Sequence, residues 1–179
     1  MTMNLRRGIR IACGLMMVGG AAGTAYAGLF DNWAFRMKLS FPGYTQSETL
    51  TNFPVLIVFS NNVGGSGFSY DGFSSETGDD LRFASSNETV ELSYEIEQWN
   101  TNGASYVWVQ MPALASSNDF IYAYWGKPNV TAPVYTTNGA VWSSEFRGVW
   151  HMGHLSGTDV RDATTNRRHG VTYNMPSNP

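Results

Sequence analysis

Alternating apolar and polar positions mark the first strand pattern of this chain. Between residues 33 and 41, large apolar side chains occupy every second position, and Arg36 and Lys38 lie between them. A period of two predicts a β-strand with one buried face and one solvent-facing face. The apolar set comprises Trp33, Phe35, Met37, Leu39 and Phe41.

A continuous apolar run follows at residues 53–59 and is rich in β-branched side chains. Such a run predicts a central strand that is buried on both faces. Pro54 has no N–H to donate, so we expect it near the start of this strand.

Four further strand patterns follow, each short and rich in aromatic residues, with turn residues between them. No segment shows a convincing helical period. Six strands at short spacing predict an all-β fold, an antiparallel β-sandwich of jelly-roll-like type. The four later patterns lie at residues 81–84, 92–99, 106–111 and 120–126.

A long loop separates the second strand pattern from the third. Residues 61–78 are rich in Gly, Ser and Asn, with Phe68, Tyr70 and Phe73 among them. Loops of this length are usually functional or mobile. The three aromatic rings either pin the loop to the core or contact a ligand.

The first 27 residues have the features of a signal peptide. Arg6, Arg7 and Arg10 precede an apolar run, and Ala25-Tyr26-Ala27 fits the small-x-small cleavage rule. The run is shorter than the roughly 20 residues that a membrane-spanning helix needs. The sequence therefore predicts a secreted protein, extracellular or periplasmic, with no membrane span.

Removal of this segment changes both the cysteine content and the charge. Cys13 is the only cysteine, so a mature chain has no disulfide and depends on its hydrophobic core. The full chain has 11 basic and 14 acidic residues, and loss of three arginines leaves a net charge of −6. An acidic surface argues against nucleic-acid binding, which needs a basic footprint.

Composition changes again after residue 128. Residues 129–145 are rich in Pro, Thr, Asn and Gly, as in an inter-domain linker. Residues 146–152 then form a new strand pattern, and residues 162–170 form a polar turn. A stretch as short as residues 146–179 cannot close a second sandwich, so we expect an incomplete second β-sandwich.

The order and spacing of the strand blocks resemble the domain of unknown function 2341 family over about residues 30–128. The resemblance implies a β-sandwich domain of an exported bacterial or archaeal protein. The end of the chain, from residue 146, resembles the opening of a concanavalin A-like lectin/glucanase (laminin-G-type) domain, which often follows in that family. The blocks that carry the first resemblance are Phe53-Pro54-Val55-Leu56-Ile57, Asp80-Leu81-Arg82-Phe83, Tyr94-Glu95-Ile96-Glu97-Gln98-Trp99, Val107-Trp108-Val109 and Ile121-Tyr122-Ala123-Tyr124-Trp125-Gly126.

Glu95 and Glu97 are the strongest candidates for catalysis. Positions i and i+2 of a strand share a face about 6.6 Å apart, a separation within the range of paired glycosidase carboxylates. A third carboxylate is missing, because Gln98 and Trp99 follow. The alternative is that the two glutamates simply occupy the solvated face, and we expect no catalysis by this chain.

Trp99 is the best ligand-binding candidate among the aromatic residues. We expect it to share the face of Glu95 and Glu97 and to be partly exposed, as are the rings that stack on sugars. Tryptophan in strands nevertheless most often packs in the core or in cross-strand ladders.

Two metal sites are conceivable from the polar residues. Asp71, Asp79 and Asp80 could bind calcium through oxygen ligands, although turn capping and an ion pair of Asp80 with Arg82 or another arginine explain them more simply. The histidines, His151, His154 and His169, lack a third ligand of suitable spacing for zinc. We expect no cofactor, with calcium as the one exception.

The sequence therefore predicts a non-catalytic, secreted β-sandwich module that recognises an extracellular glycan or another cell-surface polymer. One alternative is an accessory domain of an extracellular polysaccharide-active enzyme. A second, implied by the resemblance, is a periplasmic portion of a proton-channel component of the ExbB/TolQ type.

Overall fold

Nine β-strands, all paired antiparallel, organise the computed structural model, which describes residues 12–15, 28–152 and 159–173. The helical elements within these ranges are single 3-10 turns, and no helix there is long and apolar enough to cross a membrane. The strands are β1 (Ala12–Leu15), β2 (Phe35–Ser40), β3 (Leu50–Phe59), β4 (Arg82–Ala84), β5 (Tyr94–Gln98), β6 (Ser105–Leu114), β7 (Phe120–Trp125), β8 (Asp159–Val160) and β9 (Gly170–Val171).

The strands form two main sheets and one small ribbon. The first sheet has the strand order β1-β2-β7-β4, the second has the order β3-β6-β5, and β8 pairs with β9. This arrangement confirms the predicted all-β, antiparallel β-sandwich class. Six strands, β2 to β7, correspond to the six strand patterns of the sequence.

The hydrophobic core lies between the two main sheets. Buried and less buried residues alternate over residues 37–40 of β2, 105–111 of β6 and 120–123 of β7, as a period of two requires. In the first sheet, Met37 pairs with Ala123 and Leu39 with Ile121, so the buried positions of adjacent strands are aligned. The buried set from the second sheet includes Val55, Ile57, Phe59, Tyr94, Val107, Val109 and Met111.

The strand β3 differs from its prediction. The order β3-β6-β5 places it at the edge of its sheet, so the expectation of a central strand was wrong. Its burial alternates from Val55 onward, with Leu56 and Val58 only half-buried. Pro54 lies in the middle of the strand, a position that an edge strand tolerates because no further strand needs its missing N–H.

The long loop after β3 is held against the core by its aromatic residues. Phe68 and Tyr70 are buried. The Tyr70 hydroxyl is 2.7 Å from Ser105 Oγ and donates to the Phe59 carbonyl oxygen at 3.0 Å. We expected the aromatic rings of this loop either to pin it to the core or to contact a ligand. Phe68 and Tyr70 pin it to the core.

The strand β1 falls inside the predicted signal peptide. Ala12–Leu15 pairs with β2, from Ala12 opposite Ser40 to Leu15 opposite Met37. Residues 1–11 and 16–27, which include the charged segment and the cleavage motif, lie outside the described residues. The signal peptide itself remains a prediction.

Residues of the predicted linker contact the sandwich. The Tyr135 ring lies 5.6 Å from the Tyr94 ring, and Val141 and Trp142 are buried. Gln110 Nε2, on β6, donates to the Val141 carbonyl oxygen at 3.2 Å.

The end of the described chain is organised around a buried carboxylate. Within the strand pattern at residues 146–152, Trp150 forms an isolated bridge to Asp162. The Asp162 carboxylate accepts the backbone N–H groups of Val149 (2.9 Å), Thr164 (2.9 Å) and Arg168 (2.8 Å). Asp162 thereby ties the hairpin β8–β9 to the segment that precedes it.

Candidate binding site

A cleft of about 820 Å³ opens at one end of the first sheet. It lies between the start of β2, the loop around residue 71 and the end of β7. We call it the aromatic cleft, and its lining includes Asp31, Trp33, Phe35, Arg36, Asp71, Gly72, Glu88 and Trp125.

Phe35 is the exposed aromatic surface of this cleft. Phe35 is 43% exposed. Its ring stacks on the buried Trp125 ring, with 5.6 Å between the ring centroids and an interplanar angle of 14°. Phe73 stacks on Trp125 as well, at 5.7 Å and 16°. A Cβ on Gly72 would lie only 2.7 Å from Trp125 Nε1, so glycine permits this close packing. The Phe35 ring therefore rests on a rigid aromatic base.

Trp33 forms a second aromatic wall of the cleft. Its Nε1 donates to the Asp80 carbonyl oxygen at 2.9 Å, which fixes the orientation of the indole. The Lys127 ammonium lies 5.4 Å and the Arg82 guanidinium 5.8 Å from the ring centroid, within cation–π range. Phe30 packs edge-on against the same ring at 4.9 Å.

The buried Asp80 side chain joins two segments that line the aromatic cleft. The residue is fully buried, and its carboxylate accepts three backbone N–H groups. Ser74 N and Gly126 N lie 2.9 Å and 2.7 Å from Oδ2, and Ser75 N lies 3.1 Å from Oδ1. One side chain thus joins the long loop to the chain that leaves β7 beside Trp125.

The rim of the aromatic cleft is polar. Arg36 donates to Glu88 at 2.7 Å, and the Tyr124 hydroxyl donates to the same carboxylate. Burial and the Glu88 carboxylate raise the pKa of Tyr124 well above its usual value, so its hydroxyl stays a neutral donor. Asp31 and Asp71 are exposed at the rim.

Glu95 and Glu97 lie away from this cleft, on the outer face of the second sheet. The Trp142 indole donates to Glu95 Oε2 and the Trp108 indole donates to Glu97 Oε2, each at 2.7 Å. A β-bulge between Ile96 and Gln98 leaves Glu97 without a register partner in the β5–β6 ladder. The two carboxylates share a face, as expected, but they are half-buried rather than freely solvated.

His151 completes this group of side chains. Its Nε2 lies 3.2 Å from Glu95 Oε1 and its Nδ1 lies 3.3 Å from Glu97 Oε2. Neither contact has hydrogen-bond geometry, so we describe both as ion-pair contacts. Burial alone lowers the pKa of His151, but Glu95 and Glu97 outweigh it and raise the pKa above the usual value. We call Glu95, Glu97, Trp108, Trp142 and His151 the carboxylate–histidine cluster.

Trp99 does not join the two glutamates. Its ring packs edge-on against Phe73 at 4.9 Å and Tyr70 at 5.3 Å, on the core side of the fold. The expectation of a shared face was wrong because the bulge at Glu97 interrupts the alternation. Trp99 instead lines a smaller cleft of about 460 Å³ together with Asp71. Its role in ligand binding stays a prediction.

The three aspartates that were considered as calcium ligands make different contacts. The Asp80 carboxylate is occupied by backbone N–H groups, and the Asp79 carbonyl oxygen accepts from Arg82 at 2.7 Å. Asp71 is exposed. The expected ion pair between Asp80 and Arg82 is absent from the described contacts, where Arg82 instead lies 3.7 Å from Glu91.

The described residues contain no group of three His, Cys, Asp or Glu side chains placed to hold a metal ion. Of the zinc candidates, His151 contacts the glutamates, and His169 Nδ1 accepts the Asp162 N–H at 3.1 Å. His154 lies outside the described residues.

Several residues of these sites escape prediction from sequence. The sequence predicts Phe35 as a buried strand residue, and Asp80 as a turn-capping residue or a calcium ligand rather than as a residue that joins two segments. Trp142 lies in the predicted linker, where a lone tryptophan in a polar stretch is the one available signal. Its partner Glu95 is 47 residues earlier in the chain.

The fold and the packing define an antiparallel β-sandwich domain with a surface cleft. Residues 77–146 match the profile of the family described as Domain of unknown function (DUF2341), and over this part the chain is similar to that family. The match begins later than the predicted resemblance and extends through the predicted linker. It ends at residue 146, where the predicted lectin-like opening begins, and that opening stays a prediction. No curated protein and no solved structure is significantly similar to the chain.

Proposed function

We propose that this protein is a non-catalytic module of an exported protein and that it binds carbohydrate in the aromatic cleft. The observation that carries the proposal is the exposed Phe35 ring, supported from behind by Trp125 and surrounded by polar side chains. A flat, rigid ring next to hydrogen-bonding groups suits a sugar, which has an apolar ring face and a polar rim.

The dimensions of the aromatic cleft support this proposal. Its volume of about 820 Å³ lies within the range of small-molecule sites, roughly 300–1,000 Å³. Aromatic residues with few rotatable bonds lose little conformational entropy when they bind a ligand. Asp31 and Asp71 carboxylates at the rim can accept hydrogen bonds from sugar hydroxyl groups.

The surroundings of Glu95 and Glu97 support a non-catalytic role. Each carboxylate already accepts an indole N–H and contacts His151. A glycosidase needs one carboxylic acid and one carboxylate that both reach the glycosidic bond. Here the two groups instead hold a segment of the same chain.

Binding to polysaccharides tests the proposal. The protein would be run in native gels that contain xylan, laminarin, glucomannan or mixed-linkage glucan, and incubated with insoluble cellulose and chitin. We expect retardation or retention by at least one of them. Phe35→Ala should weaken the affinity about tenfold or more, equivalent to about 1.4 kcal/mol, and Phe35→Tyr should retain it.

Phe120→Ala is the matched control. Phe120 pairs with Ser40 at the opposite end of the β2–β7 ladder, so its loss removes an aromatic ring from the same sheet but not from the cleft. Thermal melting of each variant separates lost binding from lost structure. Equal binding by folded Phe35→Ala and wild type, or no binding to any of the six polysaccharides, would contradict the proposal.

A further inference from the structure

The outer face of β5 and β6 carries a segment of the same chain, residues 141–151, which we call the docking segment. Its first part is fixed by Gln110 Nε2, which donates to the Val141 carbonyl oxygen. Trp142 contacts Glu95 through its indole N–H. Its last residue, His151, contacts the two glutamates of β5. Both ends of the docking segment therefore meet the same face of the sheet.

Ring packing closes the space between these polar contacts. The Trp142 ring lies 5.4 Å from the Trp108 ring and 5.7 Å from the His151 ring, and Phe146 packs edge-on against Trp142 at 5.4 Å. The His151 and Trp108 rings are stacked at 6.2 Å. These rings reduce the access of water to the carboxylates, which strengthens the electrostatic interactions among them.

The charges of Glu95 and Glu97 make the contact between the docking segment and β5 depend on the protonation of His151. The side chains of Glu95 and Glu97 are only 17% and 25% exposed, and that of His151 is 19% exposed. Two carboxylates on one strand face repel each other, and partial burial increases the cost. An imidazolium between them offsets both effects, whereas a neutral imidazole does not.

We propose that the outer face of β5 and β6 and the docking segment form a proton-dependent joint, closed when His151 is protonated between Glu95 and Glu97. The joint fixes the hairpin β8–β9 relative to the sandwich, because Trp150, next to His151, bridges to Asp162. It is separate from the aromatic cleft, so it does not rest on the proposed carbohydrate binding.

The direction of the pH effect follows from the surrounding groups. The titratable groups that contact His151 within the described chain are Glu95 and Glu97, both on β5, while Trp108 and Trp142 are neutral. The two carboxylates raise the pKa of His151 in the docked state. The stabilisation is therefore complete below the pKa of a free histidine and is lost as the pH rises through the raised pKa.

Amide hydrogen exchange tests the joint without any mutation. Protection of residues 141–151, corrected for the intrinsic rate, would be measured between about pH 5.5 and about pH 8.5 and compared with that of β6. We expect protection of the docking segment to fall about tenfold for each unit by which the pKa is raised, with β6 unchanged. Titration of the histidine ring signals by NMR gives that pKa independently.

His151→Gln should remove the pH dependence of the exchange protection of the docking segment. The double variant Glu95→Gln, Glu97→Gln should bring the pKa of His151 back toward its usual value. His169→Gln is the matched control, because His169 accepts the Asp162 N–H instead of facing two carboxylates. The proposal fails if His151 titrates at or below the usual value. It also fails if protection of the docking segment does not change with pH, or changes equally in His151→Gln.

Discussion

Replacement of Asp80 tests whether one buried carboxylate holds the aromatic cleft together. Asp80 accepts hydrogen bonds from Ser74 N, Ser75 N and Gly126 N and is fully buried. Ser74 is exposed, so in Asp80→Ala its N–H can bind water instead. The other two N–H groups lose charged partners at about 1.5–3 kcal/mol each. We therefore expect Asp80→Ala to lower the free energy of unfolding by roughly 3–6 kcal/mol.

Asp80→Asn should fall between wild type and Asp80→Ala. The amide oxygen can still accept from Ser74 N and Gly126 N, but the bonds lose their charge, which roughly halves their strength. The amide nitrogen then faces Ser75 N, a second donor. We expect a loss of roughly 1.5–3 kcal/mol for Asp80→Asn.

Chemical denaturation measures these differences in the free energy of unfolding. Thermal melting gives a second measurement, in which each kcal/mol lowers the melting temperature by about 2–4 °C for a chain of this size. Asp79→Asn is the control, because the described contact of Asp79 uses its carbonyl oxygen, which the substitution leaves in place. The reasoning is refuted if Asp80→Ala unfolds within about 1 kcal/mol of wild type. It is also refuted if calcium raises the melting temperature of wild type but not of Asp80→Ala, since the carboxylate would then be a metal ligand.

Two other substitutions address the turn at Asp162 and the exit from β7. Backbone N–H groups outweigh the effect of burial and lower the pKa of Asp162 to about 2. The ionised Asp162 carboxylate should therefore add roughly 2 kcal/mol to the free energy of unfolding above the usual pKa of an aspartate. This contribution should fall as the pH drops toward 2, and it should be absent when the acid unfolding of Asp162→Asn is measured. Gly126 has φ +86°, and an added Cβ would lie 2.6 Å from the Phe35 ring. Gly126→Ala should therefore cost about 2 kcal/mol or more in denaturation, and unchanged stability would argue against this packing.

The strands are predictable from sequence because their pattern is local. The period of two in β2 correctly places Met37 and Leu39 in the core. The same pattern places Phe35 on the buried face, and the structure leaves it 43% exposed because the sandwich ends there. The end of a sheet depends on which loop covers it, and an alternating pattern carries no such information.

The candidate sites were less predictable because their partners are remote in the chain. The spacing of Glu95 and Glu97 indicates a shared face, but nothing near them in sequence indicates contact with Trp142 or His151. The bulge at Glu97 moves Trp99 to the core side, and a single extra residue in a strand has no clear sequence signal. The edge position of β3 was missed because its half-buried outer positions are apolar, as in a central strand.

The edge position of β3 has a consequence for contacts between copies of this protein at high concentration. A ten-residue edge strand can pair with the same strand of a neighbouring copy and begin aggregation. Pro54 interrupts the row of N–H groups in the middle of β3. Asn52, in the left-handed backbone conformation at φ 49°, disturbs the straight edge two residues earlier. Both features oppose pairing of β3 with the same strand of a neighbouring copy, and Pro54→Val should weaken that protection.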